Sequence, residues 1–131
     1  MKAATVVGIL LIVVAIAGFA LGALWYSPIG FLHLWIRVAQ IKKVPTPTPQ
    51  MFVLLFVLQL VAACGFTLLL GPSPELGFAM RQALIVGVCL VAASFAVNDQ
   101  FENRPWRHWL IDSGYHVVRF LVFGLIVGTW H

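Results

Sequence analysis

Charge is what this sequence has least of. Of its 131 residues only 9% are Asp, Glu, Lys or Arg, and just four are acidic, whereas a water-soluble domain carries roughly a quarter charged residues. Together with 62% hydrophobic residues, that scarcity excludes an ordinary soluble fold. Cysteine is almost absent too. Cys64 and Cys89 lie inside apolar runs, too few for a disulfide framework and without metal-ligand spacing, so packing is their expected role. No HExxH, GxSxG, Walker or CxxC pattern occurs, so no catalytic residue is assigned, no metal is expected and no cofactor is indicated. The net charge is +4, but the bases are scattered over short loops rather than gathered on one face, which argues against nucleic acid as a partner.

What the chain does have is four long apolar runs. A hydrocarbon core about 30 Å thick takes about 20 apolar residues per helical crossing. The expected fold is therefore an all-α integral membrane bundle of four transmembrane helices, a single domain over 1–131 with the lipid bilayer as its solvent. The crossings are expected at about 4–26, 51–70, 76–97 and 106–130, with a short amphipathic surface helix at about 28–43 between the first two. Ala20-Leu21-Gly22 loosely resembles a signal-peptide cleavage site. The run is longer than a normal signal core, however, and leads directly into Trp25-Tyr26-Ser27-Pro28, so an uncleaved first helix is expected.

Between Ile29 and Lys43 the polar residues His33, Arg37 and Gln40 recur every three or four positions, the pattern of a helix lying in the membrane surface with Lys42 and Lys43 at its C-terminal end. His33, like His108 and His131, is expected to be solvated. Val44-Pro45-Thr46-Pro47-Thr48-Pro49 cannot be helical and reads as a stiff connector. Gly71 suits a helix C-cap, and Ser73-Pro74-Glu75 suits the N-cap and first turn of the third crossing. Loops 27–50 and 98–108 share one side and carry Arg37, Lys42, Lys43, Arg104 and Arg107, against Lys2 and Arg81 opposite. The more basic side is expected to be cytoplasmic, with both termini outside.

The candidate site lies on the last crossing. Asp112, His116 and Arg119 stand at i, i+4 and i+7, one polar stripe running from the loop side toward the middle of the bilayer. Depth along neighbouring helices brings Gln59 level with His116 and Arg119, and brings Ser94, Asn98 and Glu102 down to the rim. A charge near the midplane costs about 3 kcal/mol or more unless paired or hydrated. Two readings follow: Arg119 satisfies Asp112 or Glu102 as a structural pair with His116 and Gln59 as hydrogen-bond glue, or the stripe is functional, with His116 titrating or these groups holding a ligand. Trp25, Tyr26, Trp106, Trp109 and Trp130 fall at expected helix ends and read as interfacial anchors. Gly18 with Gly22, and Gly124 with Gly128, form small-xxx-small pairs suited to close packing within one subunit or to a homo-oligomer.

Trp25-Tyr26-Ser27-Pro28, followed by Trp35, then Asn98, Phe101, Glu102 and Arg104, and Gly114-Tyr115-His116 with Gly124 and Trp130, resembles the signature of a widespread bacterial family of small four-helix membrane proteins known only as a domain of unknown function. The likeness covers nearly the whole chain; the proline-threonine connector and Arg119 have no counterpart in the pattern. The resemblance implies the fold and a place in the bacterial inner membrane, and no activity. The best functional expectation is a binding or transport-type protein with a polar intramembrane site. The alternative is an accessory or assembly subunit of a larger membrane complex, and an enzyme is the weakest expectation.

Overall fold

The computed structural model describes residues 3–39 and 48–130. Within them the chain is all-helical: α1 (Ala3–Trp25), α2 (Leu32–Ala39), α3 (Pro49–Leu70), α4 (Leu76–Leu84), a π-helical stretch (Ile85–Ala92), α5 (Ala93–Phe101) and α6 (Trp106–Thr129). α4, the π stretch and α5 form one continuous rod, Leu76–Phe101. This rod, α1, α3 and α6 are the four described helices long and apolar enough to cross a membrane, the length and composition of a multi-pass membrane protein. Their outward faces are covered with side chains such as Val53, Val61 and Leu68, each more than 60% exposed, as lipid contact requires. Cys64 and Cys89 also lie on the outside, not in the packed interior that their apolar surroundings suggested.

Helix boundaries have local causes. Thr48 caps α3, its Oγ1 accepting from the Met51 amide at 3.2 Å, with Pro49 in the first turn. At the other end Gly71, at φ 79°, returns its amide to the Thr67 carbonyl, a backbone position that a residue with a Cβ disfavours. Ser73 does not cap the third crossing: it sits at φ 46° in the turn, and α4 begins after Glu75, which makes no side-chain cap. Ser27 likewise closes a turn instead of starting a helix, donating to the Leu24 carbonyl at 2.6 Å and accepting from the Gly30 amide at 3.3 Å. The surface helix is thus shorter than expected at its start; Gln40, Lys42, Lys43 and the connector residues 44–47 lie outside the described residues, as do Lys2 and His131. Along α2, His33 and Arg37 are exposed and Leu34, Trp35, Ile36 and Val38 are half-buried.

α6 is the hub. It packs against α1, α2, α4, the π stretch and α5, while α3 leans on α1 and barely meets α6. The end bearing Tyr26 and the Glu102–Pro105 turn is the loop side; the end bearing the Gly71–Glu75 turn is the far side. The far half is packed solid by Leu10, Val14, Ala63, Phe66, Phe123 and Val127. Both glycine pairs are used within the chain. A Cβ on Gly124 would stand 3.0 Å from the Ala79 carbonyl oxygen, one on Gly128 3.0 Å from Leu76, and one on Gly22 3.0 Å from the Tyr115 hydroxyl. Gly18 meets Gln59 and the Phe123 ring.

The third crossing departs from regular α-helix in a way that moves the site. Its buried residues are Ala79, Ala83, Gly87, Ala92 and Asp99. The step from 87 to 92 is five residues, because an i→i+5 turn takes up one residue more than an α turn. Gly87 lets Val117 of α6 approach to 3.1 Å of where a Cβ would be. Trp109 of α6 donates its indole N–H to the Ala92 carbonyl at 2.8 Å, at the end of the π stretch. Everything downstream is rotated: Asp99 turns inward and Ser94, Asn98 and Glu102 turn outward. The helix also runs on to Phe101, so the second polar loop is Glu102–Pro105 rather than 98–108.

Candidate functional site

Two hydrogen-bonded chains of side chains occupy the loop-side half. The first centres on Tyr115, one turn beyond Ile111 on the buried face of α6. Its hydroxyl donates to the Gly18 carbonyl at 3.0 Å and accepts from Gln59 Nε2 at 2.7 Å. The Gln59 Oε1 in turn accepts from an Arg119 terminal nitrogen at 3.0 Å. Three helices, α1, α3 and α6, are thereby tied through one hydroxyl, that of Tyr115. The Arg119 guanidinium also stacks over the Phe120 ring at 4.8 Å.

The second chain runs toward the rim. The Tyr26 hydroxyl donates to Asp112 Oδ1 at 2.6 Å; Asp112 Oδ2 lies 3.2 Å from His108 Nε2; and His108 Nδ1 lies 3.4 Å from Asp99 Oδ2. A ring with carboxylate oxygens at both nitrogens donates to both only in its protonated form. Burial first, then the hydrogen bond to Asp112, pushes the Tyr26 phenol above its ordinary value, so it stays protonated at neutral pH. The two carboxylates sit on opposite sides of the imidazole and do not converge on a point. Among the described residues no His, Cys, Asp or Glu cluster has metal-binding geometry.

A cavity of about 590 Å³ lies between α1, α3 and α6. Phe19, Phe52, Leu55 and Leu58 give it apolar walls, and Tyr26, Gln59, Tyr115, His116 and Arg119 supply its polar inner edge. His116 Nδ1 and Arg119 Nε are buried with no hydrogen-bond partner among the described residues. The His116 ring stacks on Phe95 at 5.0 Å. Arg119 is only 8% exposed, and no carboxylate among the described residues lies in ion-pair range of it.

The structure therefore brings together Gln59, His116 and Arg119 around the cavity and places Asp112 in the neighbouring chain. Arg119 does not pair with Asp112 or Glu102, since Asp112 is held by Tyr26 and His108, and Glu102 is exposed and pairs with Arg104 at 3.0 Å. Asn98 and Glu102 stay out of the site because the π stretch turns them to the surface. Of the aromatics expected at the interface, Trp106 and Trp130 are exposed there. Trp25, Tyr26 and Trp109 face inward, Trp25 donating to the Ile111 carbonyl at 2.9 Å and lying against Gly114. His108 is buried rather than solvated. Asp99, His108 and Tyr115 are the site residues that sequence reasoning missed; His108, Asp112, Tyr115 and Arg119 continue one stripe at spacings of four, three and four.

The motif that links α1 to this site, Trp25 through Pro28, falls within a match to a family model over residues 9–128. The chain belongs to the family described as protein of unknown function (DUF1761). No curated protein and no solved structure matches it. For the DUF1761 chain described here, the Trp-Tyr-Ser-Pro segment has a physical role: Trp25 and Tyr26 fasten the end of α1 to α6 at Ile111 and Asp112, and Ser27 turns the chain onto α2.

Proposed function

We propose that this protein binds an anionic amphiphile taken from the bilayer, its acidic head against Arg119 and His116 and its apolar body along α3. The carrying observation is Arg119: a buried guanidinium with no carboxylate in range among the described residues, at the polar edge of an otherwise apolar cavity. A cation so placed is expensive in a membrane unless an anion or water meets it, and a planar guanidinium suits a carboxylate or phosphate head. The volume is that of a small-molecule site. Binding is favoured over a transmembrane path because the far half beyond Phe123 is filled by buried apolar side chains. The distribution of Lys and Arg supports an orientation with the cavity in the cytoplasmic half and both termini outside, and the resemblance to a bacterial family supports a bacterial inner membrane.

The test is Arg119→Met in nanodiscs. A long-chain carboxylate at about one hundred times its Kd stabilises the parent by about 2.7 kcal/mol, and the variant loses this shift. Ligand-free, the variant stays within about 1 kcal/mol of the parent or exceeds it, because a buried unpaired charge has been removed. An undiminished ligand shift in Arg119→Met would overturn the reading.

A further inference from the structure

The Tyr26–Asp112–His108–Asp99 chain has an end in each of two cavities. Tyr26 lines the membrane cavity. Asp99 lines a smaller one, about 160 Å³, at the loop-side rim, together with Arg104 and Trp109. Each link is within 3.4 Å, and every group along it can both take up and give up a proton. Asp112 and His108 are nearly closed to solvent, with side chains 16% and 10% exposed. The groups around the chain are Tyr115, His116 and Arg119 of α6, Glu102 and Arg104 in the turn before it, and His33 and Arg37 on the outer face of α2. None of the described ion pairs interrupts it.

We propose that this chain is a proton path joining the membrane cavity to water at the loop-side rim, by which a carboxylic acid arriving from the bilayer loses its proton as it ionises against Arg119. The proposal rests on the amphiphile-binding reading. A carboxylic acid crosses hydrocarbon in its neutral form, because the charged form is costly there, whereas Arg119 favours the carboxylate. One proton must therefore leave for each acid bound. The Tyr26 oxygen takes the proton from the ligand carboxyl as its own hydroxyl proton passes to Asp112. Asp112, starting with a proton on Oδ2, passes it to Nε2 of His108, which starts with its single proton on Nδ1 and releases that one to Asp99, and Asp99 delivers one to water. One proton enters and one leaves, no electron moves, and the ligand remains as carboxylate on Arg119. Tyr26 is never required as a free phenolate.

Octadecanoic acid and octadecane sulfonate separate the two claims, since the sulfonate is anionic throughout and carries no proton. Stopped-flow mixing with protein in zwitterionic nanodiscs, corrected against empty nanodiscs, follows uptake by tryptophan fluorescence and proton release by an indicator dye. The parent takes up both, and only the acid releases about one proton per site. Asp99→Asn and His108→Gln, neither of which lines the membrane cavity, slow proton release at least about tenfold and leave sulfonate uptake unchanged. In the parent, D2O slows release from the acid without slowing sulfonate uptake. If neither amphiphile binds the parent, the amphiphile reading falls and the path with it. If both bind and either folded variant releases the proton at the parental rate, or D2O has no selective effect, the path is overturned while the binding site stands.

Discussion

Beyond Phe123 toward the far side, α6 meets α4 through Gly124, Gly128, Ala79 and Ala83, backbones in contact and nothing polar between them. On the loop side the same helix meets its neighbours through Tyr115, Gln59, Asp112 and His108, and leaves a cavity. Lipid tails are as apolar as leucine, so helices in a bilayer are held by close packing or by interhelical hydrogen bonds. This molecule uses one device in each half. The packed half holds together because small residues let the backbones meet. The hydrogen-bonded half can be open because directional bonds fix the helices without filling the space between them.

That contrast can be broken at its tight end first. Gly124→Leu drives a side chain into the Ala79 carbonyl and the Ala83 methyl, and no flexible side chain is there to yield. The expected loss is about 3 kcal/mol, read as a shift in unfolding by denaturing detergent in mixed micelles. A neutral result would mean that α4 and α6 are not in contact. In the open half, Gln59→Leu removes two bonds and strands a guanidinium N–H, for a loss of about 2 kcal/mol. Tyr115→Phe keeps the ring and loses only its hydroxyl bonds to Gly18 and Gln59, for about 1 kcal/mol. Equal losses in those two variants would show that Arg119 finds another partner when Gln59 is gone.

Most of the architecture is visible in the sequence because it depends on composition and length: four apolar runs, the glycine at 71, the polar stripe on α6. Helical rise alone brings Gln59 level with Arg119, and the two are 3.0 Å apart. Two things are hidden. The π stretch depends on how Ile85–Ala92 packs against α6, at Gly87 with Val117 and at Ala92 with Trp109, not on any residue that forbids an α-helix. A one-residue slip there exchanges Asn98 for Asp99. The second is the direction of the aromatics: Trp25, Tyr26 and Trp109 stand at helix ends where headgroup anchors belong, and only the partners on α6 and the π stretch decide that they turn inward. Extending the stripe Asp112–Arg119 back by one turn would have found His108.

The smallest expected effect bears on the register shift itself. If the third crossing were regular, Glu102 would descend toward the site and could answer the charge of Arg119. In the structure it is exposed and pairs with Arg104, two residues away, the two side chains being 59% and 39% exposed. An exposed pair of this kind contributes little, and side-chain freedom and salt screening reduce it further. Glu102→Gln should thus change unfolding by less than about 0.5 kcal/mol and leave amphiphile-induced stabilisation intact. A loss comparable to that of Gln59→Leu, or an amphiphile shift that changes with Glu102, would place this carboxylate against Arg119. It would then supply the missing counter-charge and remove the reason for a bound anion.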